Sequence, residues 1–358
     1  MGDKVSQEVK GNEGANIIQS AGDTNIVQYG VSTEEVVNVC TQVVRTILDI
    51  HSVEAEKRFQ ERLDNFCNSL VPKLQEHVRN DVLESFNEPA IQYALRESIK
   101  ACVEVNDEEL TDDLVDLMIE RMSVAPRTTD QYLIDEARRT LPKMNKVHLN
   151  YLALRVLLML QIGGGRETLT DFFAKKLSPI LQCVSNASLL DIDYLGQIGC
   201  LGNHHLFLTP DSMEKELLMI YDYYFRHPCS VDDFNDVLHD HPLNEQQAVN
   251  VWNLMESETS TLKPKHTSGK SLESLDEQYK AEKSFVNDLV SKKCRKMTVE
   301  EVQSELVRLN PAWRAALDIM NVSKLPSLST LGQYLGLRYL SKITGHKLPM
   351  SLFYSDVH

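Results

Sequence analysis

The sequence predicts a mainly α protein: a multi-helical body carrying a short N-terminal β-repeat segment. Three observations lead there. Beyond residue 32, apolar residues recur at three- and four-residue spacing through most of the chain, the period of a helix with one buried face. Gly, Pro and polar clusters punctuate these runs at intervals that suit helix lengths. The first thirty residues behave differently and contain a short β-branched motif written twice.

That motif comes first in the chain. Asn16-Ile17-Ile18-Gln19 recurs nine residues later as Asn25-Ile26-Val27-Gln28, with Gly22 after the first copy and Gly30 after the second. The Ile-Ile and Ile-Val pairs favour extended backbone. Ala21-Gly22-Asp23 and Tyr29-Gly30 supply turn chemistry. Each unit therefore reads as a short strand and a turn. An isolated hairpin of this size is marginal in water. Stacked copies would instead share backbone bonds, Asn/Gln amide ladders and dry Ile/Val interfaces. Asn16, Ile17, Ile18, Gln19, Gly22, Asn25, Ile26, Val27, Gln28 and Gly30 are thus the expected self-association residues.

The pattern Gly14-x-Asn16-Ile17-Ile18-Gln19-x-x-Gly22-Asp23-x-Asn25-Ile26-x-x-x-Gly30 resembles bacterial amyloid-signalling segments related to the receptor-interacting-protein homotypic interaction motif. Val27-Gln28-Tyr29-Gly30 matches the first four core positions of that motif, while Thr33 stands where it has Asn. Ile18-Gln19 is followed by one residue too many before Gly22. Both ends of the chain are similar to a family of uncharacterised bacterial cytosolic proteins, with Leu328-Ser329-Thr330-Leu331-Gly332-Gln333-Tyr334-Leu335-Gly336 in the place of that family's closing helix. The resemblance implies assembly with further copies of the chain, as a fibril or a finite stalk. It also implies a sensor or scaffold in anti-phage defence that answers a phage or other protein trigger. It supplies no catalytic residues.

The body follows. Ser32-Thr33-Glu34-Glu35 is a capping box, and Val36, Val39, Cys40, Val43, Val44, Ile47 and Leu48 continue at helical spacing. A second helix runs from Val53 toward Leu70 on the stripe Phe59, Leu63, Phe66 and Leu70, and Pro72 limits the next. Pro89 opens another, residues 106–122 a further one, and Ala125-Pro126-Arg127 breaks it. Helices over 131–141 and 146–162 end at Gly163-Gly164-Gly165, a C-cap and joint lacking the spacing of a phosphate loop. Residues 213–226 predict an aromatic helix, and 257–273 a polar linker or mobile loop. The expected organisation is 1–31 repeat segment, 32–162 helical domain, 166–262 central mainly helical domain, 263–273 linker and 274–358 C-terminal helical region.

Composition excludes several function classes. Hydrophobic residues make up 42 % and charged residues 25 % of the 358, an ordinary globular balance with room for about two domains. No run approaches the ~18 unbroken apolar residues of a membrane span; residues 149–162 are interrupted by Asn150, Arg155 and Gln161. The opening Met-Gly-Asp-Lys-Val-Ser-Gln-Glu lacks the apolar core of an export signal. A net charge of −15 disfavours nucleic acid as a general partner, since a duplex carries one negative charge per ~1.7 Å. The dense basic run Lys292-Lys293-Cys294-Arg295-Lys296 reads as a solvated helix end. Seven scattered cysteines without a C-x-x-C pair fit buried thiols in a reducing cytoplasm.

Chemistry has two candidate locations. Cys200 and His204, with His205 beside it, and then His227 and Cys229 offer four zinc-type ligands, although one residue between His227 and Cys229 is shorter than the usual two to four. The segment 231–238 reads as an acidic helix start. His239-Asp240-His241, with Asp232, Asp233 and Asp236, would suit a divalent metal if the histidines alternated along a strand. The alternative function is therefore a metal-dependent nuclease around residues 200–241. No nucleophile elbow and no H-E-x-x-H motif occurs.

Overall fold

The protein is described by a computed structural model over residues 53–76, 86, 88–160, 165–202, 212–258, 260–322, 326–345 and 348, with single helical positions at 38 and 41. These residues form sixteen α-helices and one small sheet, so the chain is mainly α. The repeat and the capping box at Ser32 lie outside the described residues. Backbone contacts divide the chain into two compact units, Met1–Met144 and Asn145–His358.

The first unit contains α1 (Val53–Glu76), α2 (Pro89–Val105), α3 (Glu108–Ser123) and α4 (Thr129–Thr140), followed by a 3-10 turn over Leu141–Lys143. Phe59, Leu63, Phe66 and Leu70 are buried, as their spacing predicts. Pro72, however, lies inside α1 and does not end it. A helical proline removes the bond to the carbonyl four residues earlier. Here both Asn68 and Pro72 face solvent, and Leu74 carries the buried stripe one turn further. Pro89 stands in the first turn of α2, which closes on Asn106 at φ 55°. Asp107 caps α3 through Leu110 N at 3.0 Å. Between α3 and α4, the buried Arg121 guanidinium meets Asp135 at 3.1 Å.

The second unit begins with α5 (Lys146–Met159), α6 (Arg166–Asp171), a π-turn over Phe172–Lys176, α7 (Ser178–Val184), α8 (Leu189–Gln197) and α9 (Met213–Ile220). Then come β1 (Cys229–Ser230), α10 (Val231–Asp240), α11 (Glu245–Asn253), β2 (Met255–Glu258), β3 (Thr261–Pro264) and α12 (Gly269–Glu273). It closes with α13 (Lys280–Lys293), α14 (Val299–Leu309), α15 (Trp313–Val322) and α16 (Thr330–Thr344).

Helix α5 is its centre. Every residue from 150 to 158 is buried, the mark of a helix enclosed on all faces. α16 lies against it, close enough that a Cβ on Gly336 would come 2.7 Å from both Leu152 O and Val156 Cγ2. Asn150 Nδ2 donates to Lys146 O at 2.7 Å and to Tyr339 Oη at 3.2 Å, tying the two helices through a buried polar contact. A second core forms around Phe173, whose ring meets Tyr221, Tyr224 and Trp313 edge-on at centroid distances of 5.8, 5.7 and 5.8 Å.

Two expectations change here. The aromatic helix ends at Ile220 and not at residue 226. Beyond Tyr221 the amides of Tyr223 and Tyr224 turn to Thr267 O at 3.1 and 3.0 Å. Arg166 fixes the carbonyls of the same residues, donating to Tyr224 O at 2.9 Å and Tyr223 O at 2.7 Å. These outside partners outcompete helix continuation, and Tyr221, Tyr223, Tyr224 and Phe225 are all buried. The polar stretch 257–273 is not a loose loop. It holds β3, which pairs antiparallel with β1 and β2 in the order β1-β3-β2, and its Thr267 and Ser268 are buried. Leu262 and Pro264 alternate inward, a period too short to stand out among polar neighbours.

Candidate functional site

The sequence-predicted residues fall into three groups. Asn16 to Gly30 and His204 lie outside the described residues. Cys200 is buried at the turn after α8; its amide donates to Leu195 O at 2.9 Å, and its carbonyl accepts from Ser329 N at 3.1 Å. Burial pushes the Cys200 thiol up to about 12, so it is protonated near neutrality. His227 and Cys229 sit on one extended segment but face different partners. Among the described residues, no group of three or more His, Cys, Asp or Glu side chains is placed to hold a metal ion.

His227 belongs to an ion-pair cluster. Its Nε2 accepts from the Arg295 guanidinium, which also clasps Glu301 through Nη1 at 3.0 Å and Nη2 at 2.6 Å. Glu301 further accepts from Thr298 N at 2.8 Å as half of the capping box of α14. Arg295 first, then the Thr298 amide, hold this carboxylate down at about 2. The neighbouring basic residues are also neutralised. Lys292 pairs with Asp288 at 3.0 Å and Lys293 with Asp236 at 2.9 Å. Three of the four basic side chains of the run, Lys292, Lys293 and Arg295, are thus paired.

Cys229 turns inward. Its Sγ donates to Leu262 O at 3.6 Å, and it lies in the same buried cluster as Cys294, the C-cap residue of α13. The mutual influence of the two thiols pushes Cys294 down against the effect of burial, with help from Arg226, and pushes Cys229 up together with burial. Arg226 Nη1 donates to Cys294 O at 2.7 Å and Val290 O at 3.0 Å. Cys294 has no spacing motif linking it to Cys229, because the pair is made by chain pairing across many intervening residues.

His239-Asp240-His241 does not form a strand. Residues 231–240 are helix α10, capped by the reciprocal pair Ser230 and Asp233, as the acidic helix start predicts. His239 is exposed, 3.9 Å from Asp240, whereas His241 pairs with Asp288 of α13. His239 lies in the last turn of α10 and His241 is its C-cap residue, so the two imidazoles do not share one strand face. In the first unit, Asp112 accepts from Ser69 and lies 3.8 Å from Lys73.

The sequence gives no signal for a third cluster. Asn145 N donates to His148 Nδ1 at 3.1 Å, and His148 Nε2 meets Asp191 Oδ1 at 3.2 Å. Asp191 Oδ2 accepts both Ser188 N, at 2.8 Å, and Ser188 Oγ. The amide at Nδ1 fixes the tautomer, so Nε2 carries the proton and donates. Nucleophilic catalysis needs an imidazole nitrogen free to accept from the serine. Here the serine bonds the carboxylate and both imidazole nitrogens are occupied. The cluster couples the N-terminal caps of α5 and α8. Burial holds the His148 imidazolium down, opposed by Asp191. Ser188 is the main cause of the lowered Asp191 carboxyl.

Among the described residues no helix is long and apolar enough to cross a membrane. No curated protein and no solved structure matches the chain. A family model described as uncharacterised-like matches residues 30–354. That match spans well over half of the chain, and the protein belongs to this uncharacterised-like family.

Proposed function

We propose that this protein is a non-catalytic scaffold whose copies assemble through the repeated segment Asn16-Ile17-Ile18-Gln19 and Asn25-Ile26-Val27-Gln28. The duplicated nonapeptide spacing carries the reading. Two strands this short bury too little to hold alone, whereas stacked copies from several chains complete each other's backbone bonds. The helical body then binds or senses a protein trigger. The setting is the bacterial cytoplasm, with anti-phage defence as the biological role. The way titratable side chains are used supports a non-catalytic body. His148, Asp191, Asp233 and Glu301 all serve helix caps. A metal-dependent nuclease around residues 200–241 lacks comparable support, because His239 and His241 have separate partners.

Deleting residues 1–30 and measuring mass in solution by light scattering tests the proposal. The full chain is expected as an oligomer and the truncated chain as a monomer with unchanged helix content. An oligomer that survives the deletion would overturn the assignment of the repeat.

A further inference from the structure

We infer that Cys229 and Cys294 form an oxidisable dithiol, a site at which a small disulfide compound converts two buried thiols into one intramolecular disulfide. The two residues are brought together by backbone pairing that leaves little freedom. Arg226 and Lys296 form an antiparallel bridge. His227 N donates to Arg295 O at 2.9 Å, and Met297 N donates to Phe225 O at 3.0 Å. Arg226 Nη1 then reaches over to Cys294 O at 2.7 Å. Immediately beyond this pairing, β1 places Cys229 opposite Leu262. Both cysteines are 2 % exposed within one apolar cluster that includes Leu262, Phe285 and Val290.

The Cys229 thiol donates to Leu262 O at 3.6 Å, which turns its sulfur into the cluster that also holds Cys294. Continuing the antiparallel register that pairs Arg226 with Lys296 sets Cys294 beside the chain just before Cys229, inside one buried cluster, so the two sulfurs need only a short approach to the ~2.05 Å of a disulfide. Cys229 and Cys294 are the two cysteines of that cluster, while the other described cysteines, Cys67, Cys102, Cys183 and Cys200, lie outside it. The pairing therefore favours one product out of the many that seven cysteines allow.

The chemistry is thiol–disulfide exchange. One protein sulfur attacks the reagent disulfide, forming a mixed disulfide and releasing the first reagent thiol. The second protein sulfur attacks the protein sulfur of that adduct, closing the Cys229–Cys294 bond and releasing the second reagent thiol. Two protein S–H bonds are lost and one S–S bond forms; the two electrons and two protons end on the reagent as its two thiols. The product joins β1 covalently to the end of α13. Burial makes the step depend on local opening, so it is slow and selective.

Incubating the folded full chain with oxidised glutathione, then blocking free thiols with N-ethylmaleimide in denaturant and digesting without reduction, reads the outcome by mass spectrometry. The expected result is one linked peptide joining Cys229 to Cys294 and the loss of two alkylatable thiols per chain beyond any glutathione adduct on Cys183. Cys229→Ser and Cys294→Ser are each expected to abolish that loss. If either variant fails to fold, the wild-type chain oxidised in denaturant serves as the comparison and should give scrambled pairs. Native oxidation that leaves both cysteines alkylated, stops at glutathione adducts on them, or matches the scrambled distribution would overturn the inference.

Discussion

His148 acts as a helix cap and as a pH-sensitive group. Its Nδ1 accepts the Asn145 amide and its Nε2 donates to Asp191, so the folded state holds the neutral ring. Burial lowers its proton affinity below the ordinary value of 6.5. The half-buried His266 is lowered for the same reason. An unfolded chain therefore binds more protons than the folded one once the pH drops below about 6.5, and stability falls with pH from there. Above 6.5 this contribution is fully present. His148→Gln keeps a cap acceptor at the third helical position and removes the titration. Urea midpoints measured from pH 8 down to 5 are expected to fall less steeply in the variant than in the native chain. An equal slope would show that His148 does not carry the loss.

Another residue-scale prediction concerns the pair Arg155 and Glu216, 2.9 Å apart with side chains 4 % and 16 % exposed. Removing one partner strands a charge, at a cost of about 3–5 kcal/mol. Arg155→Met should therefore destabilise more than the double change Arg155→Met with Glu216→Leu, measured by denaturant unfolding. None of these residues announces itself in the sequence. His148 and Arg155 sit inside an apolar run where polar residues read as interruptions, and their partners lie on other helices. Caps are local and legible: Ser230 with Asp233 marks α10 from spacing alone. The Cys229–Cys294 contact is not, since it depends on how two distant segments pair.

At the scale of elements, the packing of α16 on α5 rests on glycine. Gly336 brings the helix backbone against Leu152 O, and a Cβ at Gly332 would collide with the carbonyl of Cys200. Alanine at either position gains up to about 1 kcal/mol of helix propensity but must displace backbone, a strain of about 1–3 kcal/mol or more. Gly336→Ala is expected to lower stability by roughly 1–2 kcal/mol, and Gly332→Ala by more because its obstacle is closer. Chemical denaturation decides it, and a stabilising Gly336→Ala would show that α16 can shift. Helical spacing located these elements well, as the stripe Phe59, Leu63, Phe66 and Leu70 shows. It failed where tertiary hydrogen bonds intervened. Pro72 passes through α1 because the carbonyl it frees faces solvent, and Thr267 O draws the amides of Tyr223 and Tyr224 out of a helix. Strand β3 was hidden because Thr261-Leu262-Lys263-Pro264 has too few apolar residues to show a period.

For the whole molecule, the two units pose separate questions of stability. In the second, the enclosed α5 should exchange its amide hydrogens most slowly, since opening it exposes the core of that unit. Hydrogen exchange followed by mass spectrometry is expected to place residues 152–158 among the last peptides to exchange. Early exchange there would contradict the central place of α5. The charge of −15 keeps copies apart through their bodies at low salt, so assembly calls for a dedicated contact, the part given to the repeat. Native mass spectrometry of the full-length chain tests that claim most directly. A defined multiple of the 40.7 kDa chain is expected, collapsing to single chains when Ile17, Ile18, Ile26 and Val27 are replaced by Asp; a lone 40.7 kDa species from the native sequence at micromolar concentration would contradict it.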